Sequence, residues 1–409
     1  MRDIVLVGAG EYYRQIIGPS LKKLVDEGLA RVLCVVDIKD NFDSSIFDSP
    51  VEYRKRAAGE RLSFLLSDLK SLNPMVILGH GNESHISDAK DMVEAGFTVA
   101  LEKPYCINKS DLVSLKRLLD EYPSRIVLLE YYLQMKSAPL LILAGKIKSD
   151  SFYCTTSDIL KIERELAAVA ETIDGAFGKM KQLIGDAVKV DIELLEGEGR
   201  VGRLDHRGAH LSSIKSGGGM VLDLGIHAIV ASFALEDQLG KIDTSFSHGI
   251  VRVARCNEHV EAAVNILKLD EEDIAETYAE MQFITSKNIP VRVAVGKYIL
   301  PNQNRRHITI YGEKGKLVMD LSDCFVEWED QDGARKKLFS IPKQPDSKYY
   351  PVLRAALELI AGNSLFNFSP NNAALGAQTL MLNIRDRAYT DQSIPMTFNA
   401  GADPKSIFS

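Results

Sequence analysis

The chain has 409 residues, of which 45% are hydrophobic and 26% are charged. This composition is typical of a folded globular protein, and the length exceeds what one hydrophobic core usually holds, so we expect two domains. The 49 basic and 56 acidic side chains give a net charge of -7, and no basic run is longer than Arg54 to Arg56. Nucleic acid is therefore not an expected partner.

The cysteines and the apolar segments bear on location. The five cysteines are scattered, without a CxxC pair or a Cys/His spacing suited to a metal, which predicts reduced thiols and no metal site. The sequence shows neither a signal-peptide cleavage pattern nor an apolar span of about 18 residues. We therefore expect a cytoplasmic protein that is neither exported nor membrane-spanning.

The N-terminal residues predict a strand, a glycine turn and a helix. The apolar run Ile4 to Val7 is followed by Gly8-Ala9-Gly10, and the residues from Tyr12 to Val25 have a helical pattern. A second apolar strand, Val32 to Val36, ends in Asp37. This order is typical of the first half of a dinucleotide-binding fold, in which pyrophosphate approaches the helix N-terminus and the acid accepts hydrogen bonds from the adenosine ribose.

Two residues qualify the dinucleotide prediction. Asp37 disfavours a 2′-phosphate, so NAD is expected as the cofactor, with NADP as the alternative. Tyr13 occupies the third small-residue position of the G-x-G-x-x-G fingerprint. The two remaining glycines are weak evidence by themselves, because an ordinary βα turn has them too. Tyr13 either moves the helix away from the strand or points toward the cofactor.

The alternation of strands and helices continues to about residue 130. Strands are predicted over Met75 to Leu78, Thr98 to Leu101 and Ile126 to Leu129, and helices over His85 to Ala95 and Ser110 to Tyr122, with Ser110 as N-cap. This alternation predicts a doubly wound parallel sheet, whose ligands bind where the strands end.

The residues that follow these strands are the candidate ligand contacts. They are Gly79 to Asn82, Glu102 to Pro104 and Glu130 to Tyr132. Lys103 is placed to reach a bound ligand, although an arbitrary lysine is more often a solvated surface residue. His80 is either a cofactor contact or an exposed loop histidine.

The middle of the chain contains a long helix and a basic loop. Leu160 to Leu183 predicts an amphipathic helix with acids early and lysines late, within an insertion near 149–185 that we interpret as structural or oligomer-facing. After a strand at Val188 to Leu194, the loop Gly197 to Lys215 carries Arg203 and Arg207. Their guanidinium groups either bind a phosphate, carboxylate or diphosphate of a substrate or are solvated.

The glycine run Gly217 to Gly219 precedes a second candidate site. If the following apolar run is helical, Asp223 and His227 stand four residues apart on one face and can act on one substrate. The glycines allow a sharp helix start and close approach of a ligand to the backbone. The alternative is a core helix with His227 hydrogen-bonded in the interior and Asp223 as a cap.

The remaining residues predict a sheet-rich second domain. Short strands with alternating apolar residues are predicted over Val251 to Cys256, Ala262 to Leu269, Glu276 to Thr285, Val291 to Val295 and Arg306 to Tyr311. Trp328 lies in a strand-like segment next to a turn and is interpreted as hairpin packing.

Three motifs in this order resemble the Gfo/Idh/MocA family, named for glucose-fructose oxidoreductase and inositol dehydrogenase. They are Gly8-Ala9-Gly10, Glu102-Lys103-Pro104, and Gly217-Gly218-Gly219 with Asp223 and His227. The segments His85 to Pro104, Ile308 to Leu317 and Asn372 to Arg387 resemble later parts of the family, so the resemblance covers nearly the whole chain. The sequence departs from the family in the 120 residues from Lys103 to Asp223 and at Gly79 to Asn82, where the family has a Thr-Pro type turn.

The resemblance implies an α/β architecture with two domains. Residues 1–132 form a Rossmann domain with a doubly wound parallel sheet, and residues 133–409 an α+β domain for substrate binding and oligomerisation. The second domain has a large mixed, mostly antiparallel sheet through which the family often forms homodimers or homotetramers. Its C-terminal helix returns to the first domain.

The resemblance also implies a function. The family transfers a hydride between a nicotinamide cofactor and a secondary alcohol or ketone of a sugar, cyclitol or sugar derivative. Within the implied catalytic set of Lys103, Asp223 and His227, His227 accepts the hydroxyl proton, Lys103 stabilises the developing alkoxide, and Asp223 orients the substrate. A redox-neutral, NAD-using glycosidase or lyase and a non-catalytic dinucleotide-binding regulator are the alternatives.

The remaining candidate residues bind the cofactor or the substrate. Cofactor contacts are expected at Gly8, Gly10, Glu11, Tyr12, Asp37, His80, Glu102 and Lys103. Substrate contacts are expected at Tyr132, Arg203, Arg207, Asp223 and His227.

Overall fold

The computed structural model describes residues 1–10, 12–39, 47, 50–147, 178–197, 212–299, 304–340, 348–363, 365–391 and 395–408. The chain divides into two compact units. The first unit consists of Met1–Tyr131 and Lys343–Leu365, and the second of Tyr132–Pro342 and Phe366–Ser409. The division lies one residue before the expected boundary at 132/133. The segment that rejoins the first unit precedes the last helix, which belongs to the second unit.

The first unit contains a six-stranded parallel sheet, as the alternation predicts. Its strands are β1 Arg2–Val7, β2 Ala30–Asp37, β3 Glu52–Lys55, β4 Met75–Leu78, β5 Thr98–Leu101 and β6 Ile126–Leu128. Their order in the sheet is β3-β2-β1-β4-β5-β6, so the chain reverses its winding between β1 and β4. The prediction of a Rossmann-type sheet is confirmed. Edge strand β3 was missed because its four residues are charged or polar and carry no apolar alternation.

The helices of the first unit connect these strands. They are α1 Gly18–Asp26, α2 Leu62–Leu65, α3 His85–Glu94, α4 Lys109–Glu121 and, in the returning segment, α11 Tyr350–Ile360. The N-cap of α4 is Asn108, whose side-chain oxygen accepts a hydrogen bond from the Asp111 N–H at 2.9 Å, so the assignment of Ser110 as the cap was wrong. Asparagine caps a helix as well as serine does, and the cap is the residue with extended backbone.

Tyr13 belongs to the hydrophobic core of the first unit. Its side chain is 2% exposed and packs in a cluster with Ile4, Ile17 and Leu353. The backbone around it forms a π-helix, Tyr13–Ile17, before α1 begins at Gly18. A π-turn is wider than an α-turn, which gives the phenol ring space beside β1. The ring is packed in the core, which fits the first alternative, displacement of the helix from the strand, better than a ring that points toward the cofactor.

The second unit is built on a nine-stranded mixed sheet. Its strands are β7 Ala187–Glu196, β8 Ile250–Cys256, β9 Tyr278–Ile284, β10 Pro290–Lys297, β11 Asn304–Gly312, β12 Gly315–Asp320, β13 Phe325–Asp330, β14 Arg335–Ser340 and β15 Met396–Phe398. The order is β14-β13-β12-β11-β7-β10-β9-β8-β15, and neighbours are antiparallel except for the parallel pairs β7/β10 and β8/β15. This confirms the expected large, mostly antiparallel sheet.

The helices of the second unit pack on this sheet or on each other. They are α5 Ala138–Leu143, α6 Met180–Ile184, α7 Met220–Asp223, α8 Gly225–Ala234, α9 Glu236–Leu239, α10 Asn257–Leu267 and α12 Pro370–Asp391. The strand expected at Ala262 to Leu269 is wrong, because this stretch lies mostly in α10. Its buried residues His259, Ala262 and Ala263 have the i, i+3, i+4 spacing of a helix.

Three smaller expectations concern Trp328, the cysteines and the membrane. The Trp328 indole packs in the β12/β13 hairpin region and donates a hydrogen bond to the Leu183 carbonyl at 3.2 Å. Within the described residues, the cysteines are buried free thiols at Cys34, Cys106, Cys256 and Cys324. No helix in the described part of the chain is long and apolar enough to cross a membrane.

Candidate functional site

The glycine turn after β1 is closed by contacts that require glycine at position 8. Gly8 has φ +101°, and a Cβ there would meet the Gly79 carbonyl oxygen at 2.8 Å. At Gly10 the position of a Cβ has no atom within 4 Å. The turn is therefore packed against the loop after β4 on one side and open at Gly10, as a turn that receives a ligand requires.

Asp37 lies at the end of β2 and binds the glycine turn directly. Its Oδ2 accepts the Ala9 N–H at 2.5 Å, and its Oδ1 accepts the Lys39 N–H at 2.9 Å. The carboxylate that the sequence assigns to the ribose is thus fixed beside the turn that the sequence assigns to the pyrophosphate. Both belong to the carboxyl edge of the parallel sheet.

A cavity of about 590 Å³ opens beside Asp37 in the first unit. It is lined by residues that follow β2 and β3, by the segment before α2, and by α3 and the residue before it, including Ile38, Arg56, Arg61, Ser84 and Asp88. The Arg56 guanidinium pairs with both Asp88 oxygens, at 2.6 and 2.8 Å, and Arg61 pairs with Asp91. Because these two arginines are already neutralised, they offer little to a 2′-phosphate.

The two histidines near the turn after β4 are tied into the protein. The His80 Nε2 lies 3.0 Å from Asp88 Oδ2, and its Nδ1 lies 3.1 Å from the Gly81 carbonyl oxygen. His85 is buried, with Nδ1 2.9 Å from the Pro104 carbonyl oxygen and Nε2 3.2 Å from the His80 carbonyl oxygen. Burial lowers the pKa of His85 to about 4, so this ring is neutral and donates one hydrogen bond. Its two nitrogens lie between the loop after β4 and the loop after β5.

Lys103 lies in a turn after β5 whose preceding residue is a buried acid. The Lys103–Pro104 peptide bond is cis. Glu102 is 5% exposed, and its Oε2 accepts the Lys103 N–H at 3.2 Å. Burial raises the pKa of Glu102 to about 7, against the lowering effects of a Tyr349 hydrogen bond and of the Lys103 charge. The sequence assigned Glu102 to the cofactor, whereas the structure shows its carboxyl group bound by the protein's own Tyr349.

Tyrosine rings surround Glu102 in the first unit. The Tyr349 ring stacks on Tyr131 at a centroid distance of 5.8 Å and meets Tyr12 edge-on at 6.0 Å. The Tyr105 hydroxyl donates to the Leu129 carbonyl at 2.9 Å and lies 3.4 Å from a carboxyl oxygen of the fully buried Glu130. Tyr12, an expected cofactor contact, is the most exposed of these rings at 37%.

In the second unit, the glycine run is organised by Glu276, which is 1% exposed. One carboxyl oxygen accepts the Val221 N–H at 2.8 Å, and the other is bound by the Tyr389 hydroxyl. Gly219 has φ +103°, and a Cβ there would lie 2.5 Å from both Glu276 carboxyl oxygens. Burial raises the pKa of Glu276. The buried acid therefore fixes the start of α7, on which Asp223 lies.

Asp223 and His227 lie on two consecutive short helices. Asp223 ends α7, Leu224 intervenes with helical backbone angles, and His227 is the third residue of α8. Lys297, the last residue of β10, places its Nζ 2.8 Å from Asp223 Oδ2. The His227 ring is 8% exposed and stacks on Tyr132 at 4.3 Å between centroids. Asp223 is thus an ion-pair partner rather than the helix cap of the alternative interpretation.

Charged residues lie at the carboxyl end of the parallel β7/β10 pair, next to Asp223. Lys297 pairs in register with Glu196, the last residue of β7, and Glu196 holds Arg306 at 2.7 Å. The carboxyl ends of parallel strands are where ligands gather in open sheets. The basic loop with Arg203 and Arg207 follows β7 and lies outside the described residues, as do Glu11 and most of the expected insertion near 149–185.

Sequence reasoning missed four residues that hold these sites, Glu276, Lys297, Tyr349 and Tyr389. Glu276 is the first residue of the strand predicted over Glu276 to Thr285, and Lys297 follows the strand predicted over Val291 to Val295 by two residues. A charged residue at the end of an apolar strand is the signal that could have identified both. Tyr349 carries no such signal, because it is distant in sequence from Glu102 and no pattern links the two.

No family model matches the chain, and no curated protein matches its sequence. Solved structures do match its fold. An oxidoreductase from Agrobacterium radiobacter, in complex with NAD+, L-tartaric acid and magnesium, is 14% identical over 96% of both chains, with a TM-score of 0.63. A 3-ketoreductase from Actinomadura kijaniata, with NADP and TDP-benzene, is 13% identical over 98% of both chains, with a TM-score of 0.59.

A third structure extends the range of ligands. Biliverdin reductase from Synechocystis sp. PCC 6803, with biliverdin and NADP+, is 12% identical, with a TM-score of 0.59, over 96% of this chain and 99% of the other. At these identities the likeness establishes the fold. The two-domain architecture that the motifs imply is confirmed, and the chain shares its fold with oxidoreductases over nearly its whole length.

Proposed function

We propose that this chain is an oxidoreductase that transfers a hydride between a nicotinamide dinucleotide and a secondary alcohol or ketone of a sugar, cyclitol or sugar derivative. The observation that carries the proposal is the carboxyl edge of the parallel sheet in the first unit. There the Gly8 turn, Asp37 and the turn with Lys103 all follow strands of one sheet. Three proteins of the same fold were solved with NAD+, NADP or NADP+, which supports the cofactor.

The residues of the first unit fit a dinucleotide. Gly8 and Gly10 offer a turn that is packed on one side and open on the other, and the Asp37 carboxylate is fixed beside it. Tyr12 and the backbone of the turn complete the proposed contacts. Asp37 and the paired Arg56 favour NAD, because a 2′-phosphate would meet a carboxylate and find this guanidinium already engaged.

The chemistry assigned to the side chains follows from their types. A bound nicotinamide ring supplies the acceptor or donor of the hydride. His227 takes the hydroxyl proton of an alcohol substrate, and the Lys103 ammonium group stabilises negative charge on that oxygen. Asp223, held in the ion pair with Lys297, accepts hydrogen bonds from substrate hydroxyls. Tyr132 supports the His227 ring by stacking.

The first test combines binding and turnover. Released small molecules are identified after denaturation of the purified protein, and the emptied protein is then titrated with NADH and NADPH. We expect tighter binding of NADH. Failure to bind either dinucleotide would overturn the proposed function. Retention of NAD through purification without net cofactor turnover would instead support the redox-neutral glycosidase or lyase.

The second test is His227→Ala. Loss of the proton acceptor should lower kcat by about 100-fold or more, the range typical of a general base, while NADH affinity stays unchanged. His307→Ala is the matched control, because His307 on β11 pairs with Asp320 on β12 and is assigned no role in turnover. An active His227→Ala protein would contradict the assignment, and dinucleotide binding without any turnover in the unaltered protein would favour a regulator.

We also propose that the protein is cytoplasmic. A further proposal is that copies of the chain associate through the second-unit sheet into a homodimer or homotetramer. The sheet face that carries Arg292 is polar, with Arg292 Nη2 2.8 Å from Glu280 and Nη1 3.4 Å from Glu193. On the same face, Ile250 and Ile284 are each 60% exposed on neighbouring strands. Ordered charges around exposed apolar side chains are typical of protein interfaces.

A further inference from the structure

Tyr349 reaches the turn of Lys103 from a distant part of the sequence. It precedes α11 in the segment that rejoins the first unit, and its backbone N–H donates to the Ser20 Oγ at 3.1 Å. Its side chain is 1% exposed, and its hydroxyl donates a hydrogen bond to the Glu102 carboxyl. The ring is fixed between Tyr131 and Tyr12. A buried, doubly packed ring of this kind holds its hydroxyl in one place.

The Glu102 carboxyl connects Tyr349 to Lys103. One oxygen is bound by the Tyr349 hydroxyl, and the other accepts the Lys103 N–H at 3.2 Å. The carboxyl group also faces the charge of Lys103. The orientation of the turn therefore depends on where Tyr349 holds the acid, and a small displacement of a reacting group is costly in catalysis.

We propose that Tyr349 is a positioning residue that, through its hydrogen bond to Glu102, fixes the turn that presents Lys103. The inference rests on the proposed function, since it assumes that Lys103 acts on the substrate. It concerns the protein's own residues, so the hydrogen bond itself is testable without cofactor.

The proposal predicts a pH dependence with a definite sign. The groups that face Glu102 are Lys103, Glu130 after β6, and the hydroxyls of Tyr349, Tyr12 and Tyr105. The Tyr349 hydrogen bond lowers the pKa of Glu102 against the effect of burial. Removal of the hydroxyl should raise that pKa, so Glu102 takes up its proton at a higher pH. Once protonated, Glu102 no longer offers Lys103 a negative charge, so activity should fall in the pH range in which Glu102 has taken up its proton.

The chain offers a closely matched control for Tyr349→Phe. The next residue, Tyr350, lies in the same core cluster, and its hydroxyl donates to Glu27 Oε2 at 2.6 Å. Tyr350→Phe also removes one tyrosine–glutamate hydrogen bond at the start of α11, but Glu27 follows α1 and is not part of the Lys103 turn. Any general weakening of this segment should therefore appear in both variants.

The first measurement follows the glutamate carboxyl groups of the dinucleotide-free protein by ¹³C NMR against pH. The Glu102 signal is identified as the one missing from Glu102→Gln. In Tyr349→Phe we expect its midpoint to move up by about one pH unit, the size of one hydrogen bond to a carboxylate, and in Tyr350→Phe to stay in place. An unmoved midpoint in Tyr349→Phe, or equal shifts in both variants, would overturn the proposal.

The second measurement is the pH profile of kcat. Tyr349→Phe should lower kcat by about tenfold at neutral pH, with KM changed much less, and move the acidic limb to higher pH. On the Glu102→Gln background, Tyr349→Phe should no longer move the limb. If Tyr349→Phe does not fold, the pH profile of Glu102→Gln alone tests the proposal. The proposal requires the acidic limb of the kcat profile, which it assigns to Glu102, to disappear in this variant. A profile unchanged by Glu102→Gln would overturn the proposal, whereas absence of dinucleotide binding in the unaltered protein would overturn only the proposed function.

Discussion

At the scale of single residues, two buried glutamates hold the backbone beside candidate catalytic residues. Glu102 and Glu276 are acids with 5% and 1% exposure, and burial raises the pKa of each. Each carboxyl group accepts one hydrogen bond from a tyrosine hydroxyl, and each accepts a second one from a backbone N–H. For Glu102 this N–H belongs to Lys103, and for Glu276 it belongs to Val221 on α7, the helix of Asp223. Buried carboxyl groups with such partners are arranged to orient the main chain that they hold.

The raised pKa of Glu102 predicts how stability depends on pH. Its pKa rises from an ordinary value of 4.5 to about 7 on folding, so the folded protein binds this proton more tightly than the unfolded chain. The Glu102 contribution is therefore fully present below about pH 4.5 and is lost as pH rises toward 7, by about 3 kcal/mol in all. Urea unfolding between pH 5 and 8 should show this fall.

Glu102→Gln provides the control for that slope. Because the amide does not titrate, the free energy of unfolding of this variant should change less with pH over the same interval. An identical slope in the two proteins would contradict the raised pKa of Glu102.

At the scale of elements, the junction between the glycine run and α7 depends on one backbone position. Gly219→Ala would place a Cβ 2.5 Å from the Glu276 carboxyl oxygens at φ +103°. Backbone strain and the displaced buried acid should together lower the free energy of unfolding by about 3 kcal/mol or more, and kcat should fall because α7 carries Asp223. Urea unfolding and steady-state kinetics check both effects.

Gly333→Ala is the control that separates the cost of backbone strain at positive φ from the cost of the Cβ contact with Glu276. Gly333 has φ +84° in the same unit, but a Cβ there has no atom within 4 Å. This variant should lose only about 1 kcal/mol, from strain. Equal losses at the two glycines would show that contact with Glu276 is not the cause.

At the scale of the whole molecule, the proposed oligomer is tested through the polar sheet face. Ile284→Asp introduces a charge at a side chain that is 60% exposed in the single chain and proposed to be buried between copies. Size-exclusion chromatography with light scattering should show a shift of the unaltered dimer or tetramer toward smaller species. Phe64→Asp, at a 72% exposed residue of the first unit, should leave the assembly unchanged. An assembly that is insensitive to Ile284→Asp would contradict this interface.

Local sequence pattern was sufficient for most strands of the first unit. Four-residue apolar runs such as Met75 to Leu78 and Thr98 to Leu101 are fully buried between helices, so their composition alone identifies them. The pattern failed at Ala262 to Leu269, where small apolar residues have both helical and strand spacing, and at β3, whose side chains are polar. In both cases the deciding factor was packing against other elements rather than local preference.

The sequence by itself determined most strands of the first unit, the glycine turn with Asp37, and the motifs with Lys103, Asp223 and His227, because each of these is written in residues that are close in the chain. Only the tertiary structure decided which side chains hold those motifs in place. Tyr349 binds Glu102, Tyr389 binds Glu276, and Lys297 binds Asp223, each across 74 to 247 positions in sequence. Contacts at such separations arise from chain packing, which no local pattern encodes.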